Sequence, residues 1–570
     1  MKNLVRLYLC IVFFSCSTPS VITPIVIESQ DSIEKIISDY DLFQSSFDNV
    51  NQHWPDLSES RKSKELSSIT KILARLDGLN KADLSVDDQI NQEMLSLILT
   101  DWQQNLLYET HLFPLNAEGG FLAGVIYGIQ GRQIDSQEKT DKYLEKLNAL
   151  PGYFELRISH MKEGSEKDKS SPQLIVNNCV KLIDHLLQTD IEEQFFLNTV
   201  DEIFKDQVRP IVQTKVLPAY QSLREFLKSD YLNDAPSIVG ASQMMEGKEF
   251  YENRVRYFTT FDISPQEVFD TGMSEVARIK SEMEGIISEV GFDGDFAAFL
   301  LFLRTDKQFY PKSGRELLNR AAWITKEMEG ELPKYFGKLP RMPLTVKPVP
   351  DALAPNYTGG RYSPGSYENN RAGQYWVNTY KLESRPYYVL PALSLHEGVP
   401  GHHLQIMLAA ELEDLPAFRK TYISAFGEGW GLYSEYLGKE AGMYKTPYEE
   451  FGALTYEMWR ACRLVVDPGM HYMGWTRDQA VEFMASNTAL SMHEVNTEID
   501  RYIGWPAQAV SYKMGELKIR ELRQKVEKSL GEDFDIRAFH DVVLENGSIP
   551  LTSLEMIIDR FIESFKTRSD

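Results

Sequence analysis

The sequence predicts a mainly α-helical protein, and three observations support this fold class. Helix-start signals and apolar residues at helical spacing recur from about residue 36 to 335. Residues 336–385 break this pattern with closely spaced prolines, glycines and tyrosines. Helical patterns return at about 386 and continue to residue 570. Because no sequence repeat or low-complexity linker divides these stretches, we expect residues 36–570 to form a single α-rich body.

The helical prediction is clearest after the segment Ser264-Pro265-Gln266-Glu267. A serine N-cap, a proline at the first helical position and a glutamate three residues after the serine form a capping box. A second capping box is expected at Thr476-Arg477-Asp478-Gln479. Behind the first one, apolar side chains at intervals of three and four residues predict one buried face: Val276, Ile279, Met283, Ile286 and Val290.

The segment 336–385 is expected to add a small sheet or ordered loops to the helical body. Short alternating runs, Leu344-Thr345-Val346 and Tyr375-Trp376-Val377, have the pattern of strands. Five prolines between positions 340 and 355 punctuate them. The predicted architecture is therefore a helical half (36–335), this irregular segment, and a second helical half (386–570).

The composition of the 570 residues excludes some classes of protein. Apolar residues make up 43% and charged residues 25%, as in an ordinary globular protein and unlike a disordered or fibrous chain. The 60 Lys and Arg residues are outnumbered by 83 Asp and Glu, which gives a net charge of −23. A nucleic-acid partner is not expected, since such proteins carry a basic face.

The N-terminus has the parts of a secretory signal. Met1–Arg6 is basic, Leu7–Phe14 is apolar, and a small residue, Ser15, follows. The apolar run is too short for a membrane-spanning helix, which needs about 20 residues. We therefore interpret residues 1–15 as a signal peptide.

Cys16, directly after the predicted signal, resembles the lipidation site of a bacterial lipoprotein. Residues 16–35 would then be the lipidated cysteine and a tether, and the lipid would be the protein's only contact with the membrane. Because Ser17 is not an acidic retention signal, we expect the lipid to anchor the protein to the outer membrane, with the protein facing the periplasm. The alternative is an ordinary cleaved signal. The two cysteines remaining in the mature chain, Cys179 and Cys462, do not form a disulfide framework.

Three of the ten histidines fall within eight positions: His396, His402 and His403. Zinc hydrolases often place two histidines four residues apart on a helix, with a glutamate beside the first. Glu397 fits, but the spacings here are six and seven residues, or about 9 and 10.5 Å along a straight helix. Pro400-Gly401 lies between them and can break the helix. We therefore prefer His402 as the second ligand, with His403 as the alternative.

A third ligand is expected downstream. Glu428 lies 26 residues after His402, in the segment Phe426–Glu435, and its neighbours are Gly, Trp and Phe. Its packed surroundings favour it over an ordinary solvated glutamate. Glu435, two helical turns later, is the alternative.

These motifs resemble the bacterial family called Domain of Unknown Function 885 (DUF885). The resembling stretches span most of the chain: Arg256–Thr260, His396–Gln405, Glu428–Glu435, Arg460–His471 and Glu498–Gly515. That family is similar to the helical zinc peptidases of the thimet oligopeptidase and angiotensin-converting enzyme kind. The resemblance implies a zinc-peptidase-like helical body with a deep cleft, and a zinc-dependent peptidase that acts on short peptides.

The resemblance also suggests roles for individual residues. Zn²⁺ on His396, His402 and Glu428 would activate a water, and Glu397 would be the general base. The expected donors to the developing oxyanion are His471, His493 and Tyr512, with Tyr502 behind them.

Substrate-binding residues are expected in the irregular segment and near the C-terminal motif. Within the segment they are Arg361, Tyr362, Arg371 and Tyr375. Arg501 would either clamp a peptide carboxylate or pair with an acidic residue on its own helix, Glu498 or Asp500, and we favour the pair.

Three alternatives remain open at this stage. The same zinc site would serve an amidase or esterase. A non-catalytic lipoprotein that binds peptides is a second alternative, although it has no use for Glu397. A structural metal site is the third, and it would need four protein ligands, for instance both His402 and His403.

Overall fold

The computed structural model describes residues 31–46, 53–129, 133–351, 354 and 357–569. The predicted signal peptide and Cys16 lie outside these residues, as does most of the predicted tether. Helices dominate the described chain, which confirms the mainly α-helical prediction. Within the described residues, none of the helices combines the length and hydropathy needed to cross a membrane.

The first half of the described chain is helical, as predicted, and its first helix begins at Ile33 rather than at residue 36. Ser32 caps this helix, so the predicted tether ends three residues early. The α-helices of this half are α1 (Ile33–Ser45), α2 (Glu59–Asp77), α3 (Val86–Leu107), α4 (Phe121–Tyr127), α5 (Gln137–Glu166), α6 (Gln173–Gln188), α7 (Phe195–Asn198), α8 (Glu202–Ile211), α9 (Leu217–Phe226), α10 (Leu232–Asp234), α11 (Gly247–Thr259), α12 (Pro265–Glu289), α13 (Phe296–Thr305) and α14 (Gly314–Tyr335).

The irregular segment contains a small sheet, as the alternating runs predict. Its strands are β1 (Leu344–Pro348), β2 (Gly360–Ser363) and β3 (Gly373–Val377). The spatial order is β1-β3-β2. Strand β3 pairs with β1 in parallel, with Leu344 opposite Gly373, and with β2 in antiparallel fashion, with Gly360 opposite Val377.

The second helical half follows the sheet. Its α-helices are α15 (Leu390–Glu397), α16 (His402–Ala410), α17 (Ser424–Glu440), α18 (Pro447–His471), α19 (Arg477–Asn487), α20 (Met492–Gly504), α21 (Ser511–Leu530), α22 (Ile536–Leu544) and α23 (Leu551–Ser569). Both predicted capping boxes are present, at the N-termini of α12 and α19.

The predicted apolar face of α12 is buried. Val276, Ile279, Met283 and Ile286 belong to the main core, and Val290, just after the helix, packs against it. This core includes residues from both helical halves and from the sheet. Cys179 and Cys462 are both buried in it as free thiols.

Helices α12, α18 and α21 are joined by a buried ion-pair cluster around Lys513. Its Nζ lies 3.1 Å from Glu275, 2.7 Å from Glu457 and 2.7 Å from Glu516. Burial disfavours the charged amine, but the carboxylates outweigh it and raise the pKa of Lys513. The cluster therefore fixes the helices that carry much of the candidate site.

We expect Gly272→Val to destabilise the protein, because α12 and α18 approach closely at this glycine. A Cβ on Gly272 would lie 2.7 Å from Leu464 Cβ and 2.9 Å from Val465 Cγ2. The matched control is Gly285→Val, on the same helix, where a Cβ meets no described residue within 4 Å.

Thermal unfolding measures the difference between the two variants. Overpacking should make Gly272→Val less stable than the control by about 1–3 kcal/mol. Equal melting temperatures would contradict the close packing of α12 on α18.

Candidate metal centre

A break between α15 and α16 creates the centre of the site. Helix α15 ends at Glu397 and α16 begins at His402, as Pro400-Gly401 predicts. Only glycine fits at position 401, since a Cβ there would lie 2.0 Å from the carbonyl oxygen of His396. The carbonyl of Pro400 accepts a hydrogen bond of 2.8 Å from Trp430 Nε1, which ties the break to α17.

The break brings His396 and His402 together with Glu428. One possible ligand atom from each residue lies within 4.8 Å of the others. Glu428 Oε2 is 3.5 Å from His396 Nε2 and 3.4 Å from His402 Nε2. Two imidazoles and one carboxylate are a donor set that suits a catalytic zinc ion.

His403 does not join this group. Its Nε2 donates to the carbonyl of Met342 at 3.0 Å, and its Nδ1 accepts from the Tyr362 hydroxyl at 2.9 Å. Burial lowers the pKa of His403 to about 4, so the ring is neutral. Within the described part of the chain, the group therefore consists of three donor residues, with His402 rather than His403 as the second.

Glu435, the predicted alternative for the third ligand, instead contacts His396 on the side of the ring that faces away from Glu428. His396 Nδ1 donates to Glu435 Oε1 at 2.8 Å, which leaves Nε2 directed at Glu428. Arg460 lies 3.4 Å from the same carboxylate oxygen. A carboxylate behind a ligating histidine fixes its tautomer and ring orientation.

The charges around His396 shift its pKa and that of Glu428. Burial alone would lower the pKa of His396, but Glu428 and Glu435 outweigh it and raise the pKa to about 9. Burial would raise the pKa of Glu428, but His402 and His396 hold it well below its ordinary value. Both shifts have the same physical cause, the close contact of the imidazoles with the buried carboxylates.

Glu397 is held beside the metal-ligand group by the small sheet. Its side chain is buried, and Oε2 accepts a hydrogen bond of 2.7 Å from the backbone N–H of Tyr362 in β2. This contact places the carboxylate in the cavity that contains the three donors.

The cavity around these residues has a volume of about 620 Å³. Of the residues predicted to bind substrate or to donate to the oxyanion, the cavity is lined by Arg361, Tyr362, Arg501 and Tyr512. Tyr512 comes from α21, which crosses α17 so closely that the backbones meet at glycines on both helices.

Other predicted residues lie outside the cavity. His471 uses both ring nitrogens on the backbone, Nδ1 with the N–H of Ala241 and Nε2 with the carbonyl of Tyr502. His493 is exposed on α20. Neither lines the cavity, so the structure does not bring either predicted oxyanion donor to the metal-ligand group.

Two predicted substrate-binding residues, Arg371 and Tyr375, are also not brought to the cavity. Arg371 is exposed and donates to the carbonyl of Pro364. Tyr375, in β3, is fully buried, and its hydroxyl accepts a hydrogen bond of 3.5 Å from Ser394.

Arg501 pairs with Glu498, 3.1 Å away on its own helix, as predicted. Tyr502 is buried, and its hydroxyl donates a hydrogen bond of 2.7 Å to the same carboxylate of Glu498. Tyr502 therefore stabilises the pair of Arg501 and Glu498 that lines the cavity. Arg463 also contacts Glu498, and its Nη1 has no hydrogen-bond partner among the residues that the structure describes. Burial raises the pKa of the neighbouring Glu494 to about 7.

Several cavity residues were missed by sequence reasoning. Arg460, Arg463 and Glu494 line the cavity, and Tyr422 donates a hydrogen bond of 3.0 Å to Glu428 Oε1. Tyr422 lies six residues before Glu428, in the loop preceding α17, and no motif marks it. The arginines had a signal, because they fall in the motif Arg460–His471.

Two solved structures are similar to this chain over their whole length. One, described as a candidate lipoprotein from Colwellia psychrerythraea, is 25% identical, covers 94% of this chain and 100% of its own, and has a TM-score of 0.86. The other, a candidate lipoprotein of unknown function from Shewanella oneidensis, is 17% identical, covers 93% of this chain and 100% of its own, and has a TM-score of 0.73. A comparison with curated proteins gives no match.

A family model matches residues 42–558, which is most of the chain. The family is described as "Bacterial protein of unknown function (DUF885)", the same family that the sequence motifs resemble. The chain therefore belongs to the DUF885 family.

Proposed function

We propose that this protein is a zinc-dependent metallopeptidase that hydrolyses short peptides. The observation that carries the proposal is the grouping of His396, His402 and Glu428 beside Glu397 in one cavity. Two imidazoles and a carboxylate fit zinc, and a glutamate next to the first histidine is the arrangement of helical zinc hydrolases. Zinc bound by these residues would supply Lewis-acid chemistry that activates a water and polarises the peptide carbonyl.

Glu397 acts as the general base in this proposal. Its carboxylate accepts the proton of the attacking water and passes it to the leaving amine. The hydrogen bond from the N–H of Tyr362 uses Oε2 and leaves Oε1 available for this proton. The backbone of β2 thus holds the carboxylate in one orientation.

Tyr512 is the remaining predicted donor to the carbonyl oxygen, on which negative charge develops during the reaction. It lines the cavity near Glu428, whereas His471 and His493 do not line it. Tyr422 also lines the cavity, but its hydroxyl donates to Glu428 and orients that carboxylate.

The size of the cavity supports a short peptide as substrate. A volume of about 620 Å³ lies in the range of about 300–1,000 Å³ that is common for small-ligand sites. We also propose that this protein is similar to thimet oligopeptidase and angiotensin-converting enzyme. The active sites of those enzymes lie in a deep cleft between helical halves.

An exported, lipid-anchored location is part of the proposal. Both similar structures are described as candidate lipoproteins. Together with the signal-like N-terminus and Cys16, this supports attachment to the cell envelope, and we propose the periplasmic face of the outer membrane.

Glu397→Gln tests the catalytic role directly. The amide keeps the shape of the side chain but cannot accept the water's proton, so we expect peptide hydrolysis to fall by at least about 10²-fold. The zinc content should stay unchanged. The control is Glu482→Gln on the exposed surface of α19, which should keep full activity.

Hydrolysis is followed with a panel of short peptides, simple amides and esters, and metal content by mass spectrometry. Undiminished turnover in Glu397→Gln would refute the general-base assignment. Turnover of amides or esters without any peptide cleavage would favour the amidase or esterase alternative.

Glu435→Gln tests the support of His396. Since the carboxylate fixes the orientation of the ring, we expect the affinity for zinc to fall by about 10–100-fold. Activity should return when zinc is added in excess. Zinc titration against a competing chelator measures the affinity, and an unchanged value would show that Glu435 does not position the ligand.

A further inference from the structure

The cavity with the metal-ligand group adjoins a second cavity of about 240 Å³, here called the side cavity. Four residues line both cavities: Gly359, Leu393, Tyr456 and Glu494. Leu393 precedes His396 by three residues on α15, which is about one helical turn. The side cavity therefore meets the main cavity next to the proposed reaction centre.

Gly359 keeps the junction between the two cavities open. A Cβ built on this residue would lie 3.7 Å from Leu393 Cδ2 and 3.8 Å from Tyr456 Oη. These are ordinary van der Waals distances, so a small side chain would fit here. A larger one would extend into the gap between Leu393 and Tyr456 and close it.

The walls of the side cavity are largely apolar. The apolar and aromatic part of the wall comes from Leu317, Val377, Tyr388, Val389, Leu390 and Leu490, and the charged residues Glu383, Arg385 and Glu494 also line the cavity. Arg304 also lines the cavity, but its guanidinium donates to three backbone carbonyl groups and is occupied with them. A cavity with such walls favours an apolar occupant, since polar groups entering it would lose hydrogen bonds with water.

The volume suits one side chain. A cavity of about 150 Å³ with apolar walls is large enough to bind benzene. The side cavity is larger than this, so a phenyl ring or a long aliphatic side chain fits, whereas a second folded segment does not.

We propose that the side cavity is a specificity pocket that takes an apolar, preferentially aromatic, side chain of the peptide residue next to the bond that is cleaved. The proposal deepens the proposed function and rests on it for the identity of the ligand as a peptide substrate. Its physical basis is the junction of the two cavities, where Gly359 lies next to Leu393. Leu393 in turn lies about one helical turn before His396 on α15.

The test separates binding from catalysis by using the Glu397→Gln protein as purified. Calorimetry measures its affinity for an alanine pentapeptide and for the same peptide with phenylalanine at each position in turn. At one position, phenylalanine should tighten binding about tenfold or more, because burial of an aromatic ring in a fitting pocket is worth that much. No preference at any position would overturn the proposal.

A plug at the junction should remove this preference. Gly359→Leu, added to Glu397→Gln, should reduce the affinity for the phenylalanine peptide to that of the alanine peptide. The matched control is Gly330→Leu on α14, where a Cβ meets no atom of the described chain within 4 Å, and it should keep the preference. A preference that survives Gly359→Leu would contradict the pocket.

A second variant covers the case in which Gly359→Leu does not fold. Met492 lines the side cavity and is 48% exposed, so Met492→Trp can fill the cavity from its outer side without disturbing the core. It should weaken binding of the phenylalanine peptide and leave the alanine peptide unaffected; equal effects on both peptides would count against the pocket.

Hydrolysis by the protein with Glu397 intact distinguishes the two proposals. Cleavage of all peptides at equal rates would support the peptidase and overturn the pocket. Selective binding that Gly359→Leu abolishes, without cleavage of any peptide, would support the pocket and overturn the peptidase.

Discussion

The hydrogen bond between His396 and Glu435 is the interaction on which the rest of the site depends. His396 is almost fully buried, and its Nδ1 donates to a buried carboxylate that also lies close to Arg460. Buried charges persist only where partners compensate them, so the three residues fix one another. They belong to α15, α17 and α18, and the contact therefore sets how these helices meet. The other ring nitrogen of His396, Nε2, faces Glu428, where it could bind a metal ion.

The other parts of the site are arranged around this point by close packing. The helix break after Glu397 changes the direction of the chain, so that His402 lies 3.4 Å from Glu428. Trp430 stabilises the break by donating a hydrogen bond to the carbonyl of Pro400. The small sheet contributes the N–H that orients Glu397. The Lys513 cluster joins α12, α18 and α21 behind the cavity. A change in any of these contacts would alter the positions of the donors.

Local signals in the sequence predicted much of the fold and the centre of the site. Capping boxes and apolar spacing are properties of single helices, so α12 and α19 could be recognised from a few residues. The close approach of His396 and His402 could be predicted because Pro400-Gly401 lies between them in the chain. Glu428 could be proposed from its packed neighbours, although the spacing alone did not exclude Glu435.

What the sequence could not predict depends on contacts between distant elements. His471 looks like a candidate donor in its motif, but the packing of α20 and of the turn before α11 directs its nitrogens at backbone groups of Ala241 and Tyr502. The contribution of Tyr422 requires the path of the loop before α17. The side cavity is formed by residues from the sheet, α15, α18 and α20, and no local pattern marks its walls.

The zinc content of the purified protein tests the central claim most directly. The protein is prepared without chelator and analysed by mass spectrometry alongside His396→Ala. The account predicts about one zinc ion per chain, since the three donors form a single site, and its loss in the variant. A chain that holds no metal even after zinc is offered back, or that keeps its zinc without His396, would contradict it.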